Sequence, residues 1–279
     1  MRLLTAKVTS NCDIALQGDD HEGSQNFVAH AVDGMLDWAS SAKSNYFVKM
    51  GDVIEAIASD DKRFHIGSTK EPLPLRQANS VIKRHKKHSK KCLAWLSGNH
   101  EDCLHRVGDL GEYMAEQLNV QFAGRVCKLR IEDKHGLIAK LFLIHPERVS
   151  VTSNAKDYEQ RVANMKASVK VKMVQKACDC LLMAMAHIHK LIICDPAQRL
   201  VLADDGKEIT QKYLSAGVGT DKYIEPDRRW YLATGSMLKL HGLDYDGYAE
   251  RAMYDPVELG YPVVEIRDRK IVNVRKELI

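Results

Sequence analysis

The chain has 279 residues, 45% hydrophobic and 28% charged, with a formal net charge of +4. That is ordinary globular composition, enough for one large domain with a sizeable core, and it excludes disordered and collagen-like classes. No apolar run reaches the roughly 18 residues of a membrane helix, and the start, MRLLTAKVTSNCD, lacks a signal-peptide core, so a cytoplasmic protein without membrane partners is expected.

The first strand candidate, CDIALQG (12–18), runs into Asp19, Asp20 and His21. A polar turn capped at Ser24 would explain that stretch on its own. A helix-like stretch (24–43) leads to a second strand, YFVKMGD (46–52), followed by Val53, Ile54 and Glu55. Residues 60–77 are rich in turn formers and read as a loop over a pocket. The next helix (76–90) ends in KRHKKHSKK (83–91), which a solvated helix face explains as readily as contact with a nucleic-acid backbone.

The third strand, CLAWLSG (92–98), ends on Asn99, His100 and Glu101, and a helix over 104–119 follows. KLFLIHP (140–146) ends on His145. The insert 146–180 holds a helix over 155–177 with several basic residues, and its position between two strand ends would let it cover a site. Arg148 and Tyr158 near its start are candidates for contact with a phosphate. LLMAMAH (181–187) ends on His187, with His189 two residues on. Beyond 190 strands and turns dominate, with a hairpin expected at ADDGKE. The alternation predicts an α/β architecture of buried, largely parallel strands, read as one domain over 1–279 with a β-rich part from 190 to 279. The seven cysteines are odd in number and scattered, and read as small reduced core residues.

In an α/β sheet, ligands bind beyond the carboxyl ends of the strands. Five successive strand ends here carry Asp19 and His21, Asp52, Asn99 and His100, His145, and His187 and His189. Two aspartates, one asparagine and four histidines make seven candidate ligands, too many for one tetrahedral metal and suited to two. Two cations about 3.5–4 Å apart are a common device for in-line phosphoryl displacement, with a bridging water deprotonated as nucleophile. His100 is left over from the count and suits a general acid or a stabiliser of phosphoryl charge. Glu101 reads as a carboxylate behind the ligands or at a helix start. Each cluster alone could be a turn, but five in this order are hard to produce by chance.

The motifs GDDH (18–21), GDVIE (51–55), GNHE (98–101), His145 and AHIH (186–189) resemble the signature of the calcineurin-like metallophosphoesterase family. YLATGS (231–236) is similar to a strand that often follows the last histidine pair. The resemblance implies a four-layer α/β/β/α sandwich of two mixed sheets. It implies one metal on Asp19, His21 and His189, another on Asn99, His145 and His187, Asp52 bridging both, and His100 as the catalytic acid. Manganese is common in the family, with iron, zinc, nickel or magnesium also compatible. Ala186 and Pro146 stand where the family usually has glycine, without removing a ligand.

The protein Ser/Thr phosphatase branch continues its second motif into Asp-Arg-Gly, whereas Asp52 here is followed by VIEAIA. The expected activity is therefore phosphodiester hydrolysis, with nucleic acid a candidate substrate contacted by the basic stretches 83–91 and 156–176. The alternatives are a phosphomonoesterase acting on a nucleotide or small metabolite, and a non-catalytic metal-binding scaffold. Many relatives of the nuclease branch are homodimers.

Overall fold

Strands apolar on both faces need cover on both sides, and the chain supplies it with two sheets and flanking helices. The computed structural model describes residues 1–57, 64, 66–104, 108–214, 216–242 and 248–279. One six-stranded sheet runs in the order β14 (Lys270–Leu278), β13 (Gly260–Arg267), β2 (Cys12–Gln17), β3 (Asn45–Met50), β4 (Cys92–Leu96), β5 (Phe122–Gly124). The other runs β1 (Arg2–Lys7), β6 (Val126–Asp133), β7 (Gly136–Ile144), β8 (Leu182–Met185), β12 (Trp230–Thr234), β9 (Leu191–Cys194). A two-stranded ribbon of β10 (Arg199–Asp204) and β11 (Ile209–Leu214) matches the expected hairpin.

Alternate residues of each strand face opposite layers. Ile14, Leu16, Val48, Met50 and Leu96 meet Leu129, Leu141, Leu143, Leu182 and Leu232 between the sheets. On the outer face of the first sheet, Ala15, Phe47 and Val263 pack under α1 (Ala29–Ser41). Trp95, Val53 and Ile54 pack under α2 (Pro74–His85) and α3 (Leu110–Leu118). Phe142, Met183 and Tyr231 pack under α4 (Tyr158–Met173) on the outer face of the second. The result is helices, sheet, sheet, helix.

The strands that carry the motifs are parallel, β2 to β3 to β4 and β7 to β8. Antiparallel partners join them at β13–β2, β6–β7 and β12–β9, so both sheets are mixed, as the resemblance implies. One expectation is modified. The insert's helix does not lie over the strand ends: Val169 and Met173 seat it on the sheet's outer face. Its C-terminal end is held by Arg229, 1% exposed, which donates to the carbonyls of Val174 and Ala177 at 3.1 and 3.3 Å. Of the turn-rich stretch 60–77, residues 60–63 and 65 lie outside the described residues. The remainder packs on the loop after β2, Lys70 N–H donating to the Gly23 carbonyl at 2.8 Å.

Much of the basic run 83–91 is engaged within the fold. Arg84 pairs with Glu22 and Asp33 at 3.2 and 2.5 Å, Lys87 with Asp37, and Lys91 donates to the Ala42 carbonyl. His85 and His88 are buried. No helix among the described residues is long and apolar enough to cross a membrane.

Candidate metal centre

All eight sequence-predicted side chains gather where the two sheets end on one side. Asp19 and His21 follow β2, Asp52 follows β3, and Asn99 and His100 follow β4. His145 follows β7, and His187 and His189 follow β8, so the set draws on both sheets. Beyond the strands the loops stay joined by backbone hydrogen bonds. Asp19 N–H donates to the Gly51 carbonyl at 2.9 Å and His21 N–H to the Asp52 carbonyl at 3.0 Å. From β12 the Ser236 hydroxyl donates to the Asp19 carbonyl at 2.9 Å.

Five of these residues hold left-handed backbone: Asp19 (φ 52°), His21 (56°), Asp52 (48°), His187 (75°) and His189 (54°). Such a conformation is uncommon outside glycine and costs on the order of 1 kcal/mol or more per residue, so its repetition at these positions marks a constrained site. The turns also need close backbone approach. A Cβ on Gly98 would lie 2.7 Å from Asp52 Cγ and closer still to its carboxylate oxygen. Gly98→Ala is expected to displace Asp52 and lower metal occupancy, measured as bound metal per folded chain. Full occupancy would show that the loop yields instead.

The donor atoms form three overlapping groups, each with its atoms within 4.8 Å of one another: Asp19, His21 and His189; His21, Asp52 and His100; and Asp52, His145 and His187. His21 Nε2 and His189 Nε2 are 3.2 Å apart. Asn99 Oδ1 lies 3.2 Å from His145 Nε2 and 2.8 Å from His187 Nδ1, which adds it to the third group. Asp52 links them, Oδ2 lying 3.1 Å from His145 Nε2 while Oδ1 accepts from the His100 backbone N–H at 2.9 Å.

Buried oxygens and imidazole nitrogens aimed at one another fit divalent cations, and the rear contacts of the rings strengthen the fit. His21 Nδ1 lies 2.7 Å from the Glu55 carboxylate and His145 Nδ1 2.8 Å from the Met50 carbonyl. Either acceptor holds a proton on Nδ1 and turns the Nε2 lone pair inward, as ligating histidines require. Glu101 works from behind. Fully buried, its carboxylate accepts from the backbone N–H groups of Gly98 (2.8 Å), Asp52 (3.0 Å) and Val53 (2.5 Å), fixing two ligand loops together. Glu101→Ala would leave those N–H groups buried and unpaired, and is expected to cost about 3 kcal/mol or more in denaturant unfolding. An unchanged midpoint would contradict this.

The electrostatics follow from burial against partner charge. Burial pushes the pKa of His21 down, but the charges of Glu55, Asp52 and Asp19 outweigh it and raise it to about 9. The same opposition, with Asp52 and Asp19 as partners, raises His145 to about 9. Burial and neighbouring cationic histidines lower His187 to about 4 and hold His189 and His100 below the usual range. Burial raises Asp52, yet His145, His100 and His21 together keep it well below the usual carboxylate range. Below pH 9 a cation must displace protons from His21 and His145. Metal affinity is therefore expected to rise with pH between 6.5 and 8.5, by up to about tenfold per unit for each proton displaced. Mn²⁺ titration calorimetry in buffers of different ionisation enthalpy checks this. PH-independent binding without proton release would contradict it.

Sequence reading gave no role to Glu55 or Ser236, although the motifs GDVIE and YLATGS contain them. Arg148 and Tyr158 are exposed. His100 stands apart from the expectation in one respect: its ring meets His21 edge-on at 4.5 Å and its Nδ1 bonds the Glu55 carbonyl, which sets it among the donors.

No protein-family model matches the chain, and no curated protein does. Among solved structures it is similar to a conserved uncharacterized protein, a predicted phosphoesterase, from Streptococcus pneumoniae TIGR4. The identity is 9% and the TM-score 0.29, over 98% of this chain and 100% of that one. A likeness of that size adds nothing to the geometry above.

Proposed function

We propose that the chain is a divalent-metal-dependent phosphoester hydrolase acting on phosphodiesters. The convergence of Asp19, His21 and His189 with Asn99, His145 and His187 on either side of Asp52 supports this reading. In it the first three residues hold one cation, the second three another, and Asp52 serves both. When bound, a pair of divalent ions lowers the pKa of water and offsets phosphoryl charge. Manganese is our first choice of ion.

The chain's own residues do the rest. Glu55 and the Met50 carbonyl keep the His21 and His145 rings in their inward tautomers. His100 holds its Nδ1 proton against the Glu55 carbonyl, leaving Nε2 to face the reacting phosphoryl group. A proton at that Nε2 is available to the departing alkoxide.

The preference for a diester rests on the second motif. Glu55 holds the acidic position of the second motif, and buried Ala56 stands where the protein phosphatase branch has an arginine to clamp a terminal phosphate. Comparison of bis-p-nitrophenyl phosphate with p-nitrophenyl phosphate under Mn²⁺ tests this. We expect the diester to be hydrolysed with the higher kcat/KM. Hydrolysis of the monoester alone would assign a phosphomonoesterase, and of neither a scaffold.

A further inference from the structure

Between the first two proposed ligands stands a side chain that points the other way. Asp20 separates Asp19 and His21, both left-handed, yet its carboxylate accepts from Lys49 Nζ and Gln17 Nε2. Lys49 Nζ also donates to Gln17 Oε1, which closes a triangle of side chains. All three are sealed from solvent, Gln17 and Lys49 at 0% exposure and Asp20 at 1%. Gln17 ends β2 just before the Asp19 turn, and Lys49 lies on β3 just before the Asp52 turn. The triangle therefore joins the roots of the two loops that carry three of the proposed ligands.

Stability alone does not account for such a group. Removing two charges from water offsets most of their attraction, and apolar residues of similar volume often stabilise as well or better. A directional tether does account for it. With its carboxylate anchored behind the turn, Asp20 obliges the residues on either side to project forward, where Asp19 and His21 join His189.

We propose that Gln17, Asp20 and Lys49 form a positioning triad that sets Asp19 and His21 for cation binding and holds them in register with Asp52. The proposal rests on the metal-dependent reading above.

The test is the triple variant Gln17→Met, Asp20→Leu and Lys49→Met, which replaces the triangle by apolar side chains and strands none of its three partners. Metal-stripped protein is examined by thermal melting and by Co²⁺ titration followed through visible absorption. The wild type should saturate at two ions per chain. The triple variant is expected to melt within about 4 °C of the wild type. Its affinity for the ion held by Asp19, His21 and His189 should nonetheless fall by about 10–100-fold, with an altered absorption band. A purely structural role requires binding to return once packing is restored, so a folded triple variant with wild-type affinity and spectrum overturns the proposal. If that variant does not fold, Asp20→Asn is titrated under conditions where circular dichroism shows it folded. A loss of about tenfold or more supports the triad, and wild-type affinity rejects it. A wild type that binds no Co²⁺ fails differently, overturning the metal-dependent reading and the proposal with it.

Discussion

Asp52→Asn is expected to lower the proposed phosphodiester hydrolysis by at least about 10³-fold and to leave fewer than two metal ions per chain. Asp52 is 1% exposed, and its two carboxylate oxygens serve different neighbours, Oδ2 facing His145 and Oδ1 facing the His100 backbone. Among the described residues it belongs both to the group with His21 and His100 and to the group with His145 and His187, which is the ground for assigning it to both cations in the proposal. An amide of the same shape keeps one carbonyl oxygen but loses the charge. Two cations would then lack their common counter-charge in a buried setting, where charge is expensive to leave unpaired. The same loss removes the partner that raises His145 towards 9, so that imidazole should titrate nearer its ordinary range. Steady-state hydrolysis and metal analysis of the purified variant check both halves. Two bound ions with near-normal turnover would show that Asp52 bridges nothing.

His100→Ala acts differently. It should keep both ions while turnover falls by about 10²–10⁴-fold, the range for a lost general acid. The geometry makes this a sharp test, because His100 lies close enough to His21 and Asp52 to serve as a donor itself. Burial lowers its pKa while the charges of Asp52 and Glu55 act to raise it, so added negative charge from a bound phosphoryl group favours the protonated form that a general acid needs. The leaving group should also decide the size of the effect. A p-nitrophenolate needs little protonation, so the defect should be larger with an alkyl leaving group than with p-nitrophenol. Loss of metal together with activity would instead make His100 a ligand.

The site was legible because its residues sit at the ends of buried strands. Runs such as CDIALQ and LLMAM are largely buried on both faces and stop at glycine or alanine before a proposed ligand, while KLFLI runs straight into His145. Residue type and order were therefore enough to bring Asp19, Asp52, Asn99, His145 and His187 together. Strand direction was not legible. The edge strand β1 buries little besides Ala6, and β6 alternates, with Cys127, Leu129 and Ile131 inward and Lys128 and Arg130 turned partly outward. Neither forms a continuous apolar run, so the strand pattern alone suggested largely parallel sheets, and only the family resemblance implied mixed ones. Lys49 was hidden for the opposite reason. It looks like a stray charge in YFVKM, and only the fold brings Asp20 and Gln17 to it. The run 83–91 shows the same limit, since the acids that engage it, Glu22, Asp33 and Asp37, lie some fifty residues earlier.

One measurement bears most directly on the claim that this cluster is a metal-dependent phosphoesterase centre. It is hydrolysis of bis-p-nitrophenyl phosphate by metal-stripped protein, before and after Mn²⁺ is restored, with His100→Ala alongside. The account predicts no turnover without metal, recovery that saturates near two ions per chain, and a defect in the variant that widens when an alkyl phosphodiester replaces the p-nitrophenyl one. Turnover that is indifferent to metal, or none with any divalent ion despite two bound, would contradict it.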